Sequence, residues 1–149
     1  MNPFEDLLKE LGALLGSDLV PDEHSTCIIL FTNGVKIQLE LDKSSEFLII
    51  GSLLGEVSPG RYREQILIEA LKNNHLPEIG VFAFSIKKKA LTLFIKKPFD
   101  ELPANHLCEL VRALSERALP WVTALKNQVI PSIPPTRSSS GPSIFNMSK

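Results

Sequence analysis

The order of apolar patterns along this chain predicts an α+β fold: an antiparallel five-stranded sheet carrying three helices, in the order α-β-β-β-α-β-β-α. Three observations carry that prediction. Long stretches with apolar residues three and four apart open and close the patterned region, strand-like runs come as a group of three and then a pair, and the strand connections that lack a helix suit hairpins. With 149 residues and a net charge of −1, the chain is one domain's worth. We place that domain at 1–130 and a Pro/Ser-rich tail at 131–149.

The first helix opens with Asn2 as cap, Pro3 at the first helical position and Glu5 three residues after the cap, and it closes at Gly16. Phe4, Leu7, Leu8, Leu11, Leu14 and Leu15 form one stripe about 120° wide, so this helix has a single apolar face. Thr26 to Thr32 reads as a strand apolar on both faces, ending at Asn33-Gly34. That dipeptide favours a tight hairpin because both residues tolerate positive φ. The returning strand alternates, Val35, Ile37, Leu39 and Leu41 against Lys36, Gln38, Glu40 and Asp42, so one of its faces meets water. After Lys43-Ser44-Ser45, Glu46 to Leu53 is apolar on both sides, which suits a strand that is central or covered twice.

Ser58 then caps a second helix, with Pro59 at its first position, running to about Asn74. Set at about 100° per residue, Ile66, Ala70, Leu67, Leu71 and Ile68 sweep an arc of about 200°, whereas a helix resting on one sheet needs only about 100°. That surplus points to a partner. Val81 to Ile86 and Ala90 to Ile95 are two more strands, joined at Lys87-Lys88-Lys89. The last helix starts near Asp100, has Pro103 in its opening turn and runs to about Val129, kinked but not ended by Pro120. Leu107, Leu110, Val111, Leu114, Ala118, Trp121, Val122 and Leu125 make its one apolar stripe. With such narrow stripes, helices 1 and 3 would share one face of the sheet and helix 2 would take the other. From Pro131 onward the composition turns to proline, serine and glycine with almost no charge, the pattern of a disordered tail.

The composition excludes several classes of function. Near-neutral charge argues against wrapping nucleic acid or coating an anionic membrane, and no run approaches the roughly 18 apolar residues of a membrane span. Two cysteines are too few for a disulfide scaffold and suit a reducing cytoplasm, and Glu5 and Asp6 stand where a secretion signal would carry basic residues. Lys87 to Lys89, with Lys96 and Lys97, read as charges that keep a turn solvated and an edge unsticky. The chain holds no phosphate-cradling loop ending in lysine, no GxGxxG turn, no His-Glu-x-x-His helix and no GxSxG elbow. His24, Cys27, His106 and Cys108 are ligand types, but His106 and Cys108 lie two apart on a helix and diverge. We therefore expect no enzyme, no metal and no cofactor. A chain that cannot hydrolyse ATP cannot drive cycles of client unfolding and can only bind.

The apolar opening helix Phe4-Glu5-Asp6-Leu7-Leu8-Lys9-Glu10-Leu11, the strand pair around Asn33-Gly34, the stretch Arg61 to Asn74 and the closing Leu107 to Trp121 together give a diffuse likeness. Over roughly Phe4 to Leu125 the chain resembles the class I chaperones of bacterial type III secretion, a Tir/effector chaperone-like family. The resemblance implies a cytoplasmic bacterial protein, tied to virulence, that dimerises with itself or with a related chaperone. Its contact would centre on Tyr62, Ile66, Leu67, Ala70 and Leu71, with Val81, Phe82 and Phe84 beside them. It further implies a client, a secreted effector or gatekeeper protein, whose disordered N-terminal segment wraps the dimer in extended form and adds strands. Phe4, Leu7, Leu8 and Leu11 on helix 1, with Ile28, Leu30, Phe47 and Ile49 on the strands, are where client grooves are expected. Release would fall to the secretion apparatus and its ATPase. The alternative is a regulatory binding protein, either a heterodimeric co-chaperone or a binder of a folded partner such as transcription machinery.

Overall fold

The computed structural model describes residues 3–74 and 80–131. Asn2, the expected first cap, and the tail beyond Pro131 lie outside them. The elements are α1 (Pro3–Leu15), β1 (Thr26–Leu30), β2 (Lys36–Leu41), β3 (Phe47–Glu56), α2 (Arg61–Lys72), β4 (Val81–Ser85), β5 (Ala90–Pro98), a 3₁₀ turn (Phe99–Glu101) and α3 (Ala104–Asn127). The five strands form one antiparallel sheet in the order β1-β2-β3-β5-β4. The predicted α+β class and element order are therefore those observed.

The first hairpin follows from Asn33-Gly34, although only Gly34 takes positive φ, at 92°. The Gly34 N–H donates to the Phe31 carbonyl and the Phe31 N–H to that of Val35, so the loop is a type I turn closed by a left-handed glycine. Asn33 stays in ordinary φ because its side chain is engaged: Oδ1 accepts the Val35 N–H at 2.9 Å and Nδ2 donates to Ser115 Oγ at 3.1 Å. The second hairpin is built on Asp42, whose Oδ1 accepts the N–H groups of Glu46 and Phe47. β3 is central, as expected, but among the described residues it is covered on one side only.

That covered side holds the core. Ile37 and Leu39 of β2, Leu48 and Ile50 of β3, and Leu91 and Leu93 of β5 are at or near zero exposure, under α3. Leu54 stays inward in the strand's own alternation, and a bulge between Leu53 and Gly55 pairs Gly55 with the buried Leu91. Gly55 then leaves just enough room for Leu125, whose Cβ would stand 3.3 Å from a Cβ there. Trp121, 1% exposed, stacks at a tilt on Phe82 with ring centroids 4.4 Å apart. α1 lies across α3, and Phe4 meets the edge of Phe99 at 6.2 Å.

Three expectations need correction. α2 does not start at Ser58-Pro59: Gly60 takes φ 141°, a conformation that L side chains rarely adopt, and the helix begins after it at Arg61. α3 starts at Ala104 with Pro103 as its cap, because Phe99–Glu101 forms a separate turn. Finally, α2 is not on the opposite face from the other helices. Tyr62 Oη lies 2.7 Å from the Val129 carbonyl and 3.1 Å from that of Ala124, while Arg117 Nη2 on α3 donates to the Asn73 carbonyl at 2.7 Å. Both ends of α2 are thus tied to α3, above β4, where Arg63 covers the Phe84 ring at 4.8 Å. All three helices share one face of the sheet.

Candidate protein-binding surfaces

The other face of the sheet has no helix on it among the described residues. The registers align Ile28, Gln38, Gly51, Phe94 and Val81 in one row across all five strands. Gly51 keeps the strands close there: a Cβ would approach Phe94 Cβ to 3.0 Å and the Leu93 carbonyl oxygen to 3.2 Å, tight enough that a neighbour would have to shift. Around that row stand Ile28 at 59% exposure, Leu30 at 66% and Leu53 at 51%, with Ile49 and Phe94 half-buried. Ile49, Gly51, Leu53 and Phe94 line a shallow depression of about 240 Å³ whose rim is Gln38, Glu40, Ser85, Lys88 and Thr92. Phe47 carries the ammonium of Lys96 at 4.6 Å from its ring centre. The surface is apolar in the middle and polar at its margin, the anatomy of a binding patch.

Of the residues expected to hold a client, Ile28, Leu30, Phe47 and Ile49 reach this face, whereas Phe4, Leu7, Leu8 and Leu11 do not. The four on α1 are between 0% and 8% exposed and form part of the protomer's own core. Only the C-terminal end of the α1 stripe is left over: Leu14 is 48% exposed and Leu15 half-buried. α1 instead presents its outer flank to a cavity of about 830 Å³, with Glu5, Asp6, Lys9 and Ala13 on one side and Asp18 to Pro21 on the other. Sequence reading missed this cavity, although Leu19 and Val20, apolar inside a loop, were the available signal.

The residues expected at a dimer contact also divide. Ile66, Ala70 and Phe82 point into the core, at 0%, 2% and 3% exposure, and Tyr62 is held by α3. Leu67, Val81 and Phe84 are half-buried, while Leu71, at 68%, and Ile68, at 55%, are exposed. The wide apolar arc of α2 therefore does two jobs. One edge, at Ile66 and Ala70, seals the domain. The other, at Leu71 and Ile68, stands exposed among the described residues, with half-buried Leu67 at its margin.

The chemistry of the site is that of contact rather than reaction. Among the described residues no three His, Cys, Asp or Glu side chains come together in a way that could hold a metal. Both cysteines are free and buried, and burial, reinforced by the charge of Asp22, pushes the Cys27 thiol up, which keeps it protonated. Arg117, on α3, is partly buried. Burial draws its guanidinium down while its Nη1 and Nη2 groups are spent on the carbonyls of Gly80 and Asn73 and its plane lies over Phe82. No described helix is long and apolar enough to cross a membrane.

Residues 6–121 match the family described as the Tir chaperone protein (CesT) family. The chain belongs to that family. Among curated proteins no relative is found. Among solved structures, a chain of the HopA1–SchA chaperone–effector complex is similar at 24% identity and a TM-score of 0.67, over 82% of this chain and 94% of that one. A chain of the ExsC–ExsE complex is similar at 21% identity and a TM-score of 0.65, over 81% and 92%. A chain of the complex between the Yersinia pestis type III secretion chaperone SycH and a YscM2 fragment is similar at 17% identity and a TM-score of 0.60, over 78% and 97%. The three share the fold of this Tir-chaperone family member over about four fifths of its length.

Proposed function

We propose that this Tir-chaperone family member is a type III secretion chaperone that holds a disordered N-terminal segment of a secreted effector or gatekeeper in extended form. The observation that carries the reading is the bare sheet face, where Ile28, Leu30 and Leu53 stand exposed around a shallow apolar floor beside an edge strand. An extended client segment could set alternate side chains there and add a strand to β1. Burying on the order of 1,000–3,000 Å² offsets the several kcal/mol that ordering such a segment costs. The client stays unfolded and soluble through binding energy alone, and its release belongs to the secretion apparatus and its ATPase. The exposed flank of α2 at Leu71 and Ile68, with half-buried Leu67 at its margin and β4 beside it, is the contact with a second subunit, either identical or a related chaperone.

The test is co-purification from the cytoplasm of the source bacterium. Tagged wild-type chain should retain a secreted protein, and Ile28→Asp with Leu30→Asp should lose it while unfolding at the same urea concentration. Retention by that double variant, or capture of a folded domain instead of a disordered segment, would show the reading to be wrong.

A further inference from the structure

A sheet of five strands has two edges, and along each edge every second residue turns its N–H and C=O outward. On β4 one such residue is Phe82. Its N–H donates to Asn74 Oδ1 at 2.7 Å, and its carbonyl accepts from Asn74 Nδ2 at 2.9 Å. A neighbouring antiparallel strand would make the same pair of bonds to that residue, so one amide side chain stands in for a strand. Two residues earlier, the Gly80 carbonyl is taken by Arg117 Nη1 at 2.7 Å. By the two-residue period only Phe84 is left to present both groups at the β4 edge.

The β1 edge differs. Ser25 and Phe31 bond inward to β2, the Ser25 carbonyl accepting the Leu41 N–H and the Phe31 N–H donating to Val35. Thr26 faces outward and is closed by Asp22, which accepts the Thr26 N–H at 3.0 Å on its carboxylate and gives its own N–H to the Thr26 carbonyl at 2.8 Å. The same period then turns Ile28 and Leu30 outward, two successive positions whose exposed side chains lie on the bare face. A strand pairs stably only where successive outward residues are open, because each supplies two bonds and a lone one leaves the newcomer free to swing.

We infer that Asn74 is a specificity-determining residue: a side-chain surrogate strand that closes β4 and leaves β1 as the edge admitting a client strand, with Asp22 fixing where that strand ends. The inference rests on the reading of this protein as a binder of extended segments, while edge closure is a property of the free chain and can be measured without a client.

The experiment follows backbone amides of the full chain by NMR, alone and with a synthetic peptide of alternating valine and threonine flanked by lysines. In the free protein the Phe82 amide should exchange with solvent at least about tenfold more slowly than those of Ile28 and Leu30, the worth of one net hydrogen bond. Millimolar peptide should shift the Ile28 and Leu30 amides and leave Phe82 and Phe84 in place. Asn74→Ala should bring Phe82 and Phe84 into the response, and Asp22→Ala should extend it to Thr26. A wild-type response at Phe82 or Phe84, silence at Ile28 and Leu30, or a folded Asn74→Ala variant whose β4 amides ignore the peptide overturns the inference. Should Asn74→Ala not fold, the exchange comparison in the wild type decides, and equal rates at Phe82, Ile28 and Leu30 refute it. Failure to find a secreted client would leave all these amide results standing, so the two readings fall separately.

Discussion

Leu71 offers the sharpest test of the subunit contact, because it sits on α2 yet contributes little to its own domain. It is 68% exposed in the protomer. Complete burial of a leucine side chain is worth about 1.5–3 kcal/mol, so covering the exposed two thirds yields about 1–2 kcal/mol. A two-fold contact buries the residue twice, giving about 2–4 kcal/mol per dimer, or about 30- to 700-fold in Kd. Leu71→Ala removes most of that side chain without touching Ile66 or Ala70, so the unfolding free energy of the monomer should move by less than about 0.5 kcal/mol. Sedimentation equilibrium over a dilution series measures the dissociation constant, and urea unfolding at high dilution measures the monomer. A wild-type chain that sediments as a monomer, or a variant whose Kd stays within about threefold of wild type, would refute the assignment of this flank. Replacing Ile28, on the far side of the sheet, should leave the same constant unchanged.

Other perturbations separate the core from these surfaces. Ile66→Asp, at a position with no exposure, should unfold the domain outright instead of yielding monomers, seen as loss of the cooperative thermal transition. Arg117→Ala strips two hydrogen bonds that tie the end of α2 and the start of β4 to α3, and should cost about 2–4 kcal/mol by urea titration. Gly12→Ala would place a Cβ 2.2 Å from the Ser17 carbonyl oxygen, whose backbone must then move; a loss of about 1–3 kcal/mol is expected in the same assay. Burial works to raise the Asp42 carboxyl, but the Phe47 N–H, the Ser44 hydroxyl, the Glu46 N–H and the charge of Lys96 outweigh it and hold it below the usual carboxylate range. With the folded value the lower one, its stabilisation is present above the unfolded carboxylate range and fades as pH falls through the folded value. An NMR titration should show Asp42 releasing its proton at lower pH than an unstructured aspartate, and Asp42→Asn should flatten that part of the acid limb.

The fold was legible because each element carries its own period. Ile37 and Leu39 against Lys36 and Gln38 announce a half-buried strand, and the α1 stripe announces a helix seated once. Helix starts were read less well, since a serine followed by proline looks like a cap until the neighbouring Gly60 adopts a backbone angle that ends the alternatives. The surfaces were legible by half. A helical wheel reports that an arc is apolar without saying which edge of it faces inward, so Ile66 and Leu71 look alike in sequence and differ by 68 percentage points of exposure in the fold. Asn74 and Asp22 were invisible for a different reason. Their partners are backbone groups across a turn or a connection, and a polar residue next to a strand reads as ordinary loop chemistry until the ladder is drawn.

Placing all three helices on one face has a consequence for assembly. The flank of α2 that carries Leu71 belongs to the helical layer, while Ile28, Leu30 and Leu53 belong to the far side of the sheet. Pairing through α2 therefore leaves each bare sheet face open, and a dimer would present two such faces to one long client segment. Linking two weak sites through one flexible chain raises the effective concentration at the second to roughly millimolar levels for a short connection. Modest contacts at each face can then hold a client firmly together, yet release it one face at a time when it is pulled from an end. The Asp22 stop on β1 fits that arrangement, because a strand confined to Ile28 and Leu30 is short enough to peel away. Lengthening the open edge would strengthen each site at the expense of letting go.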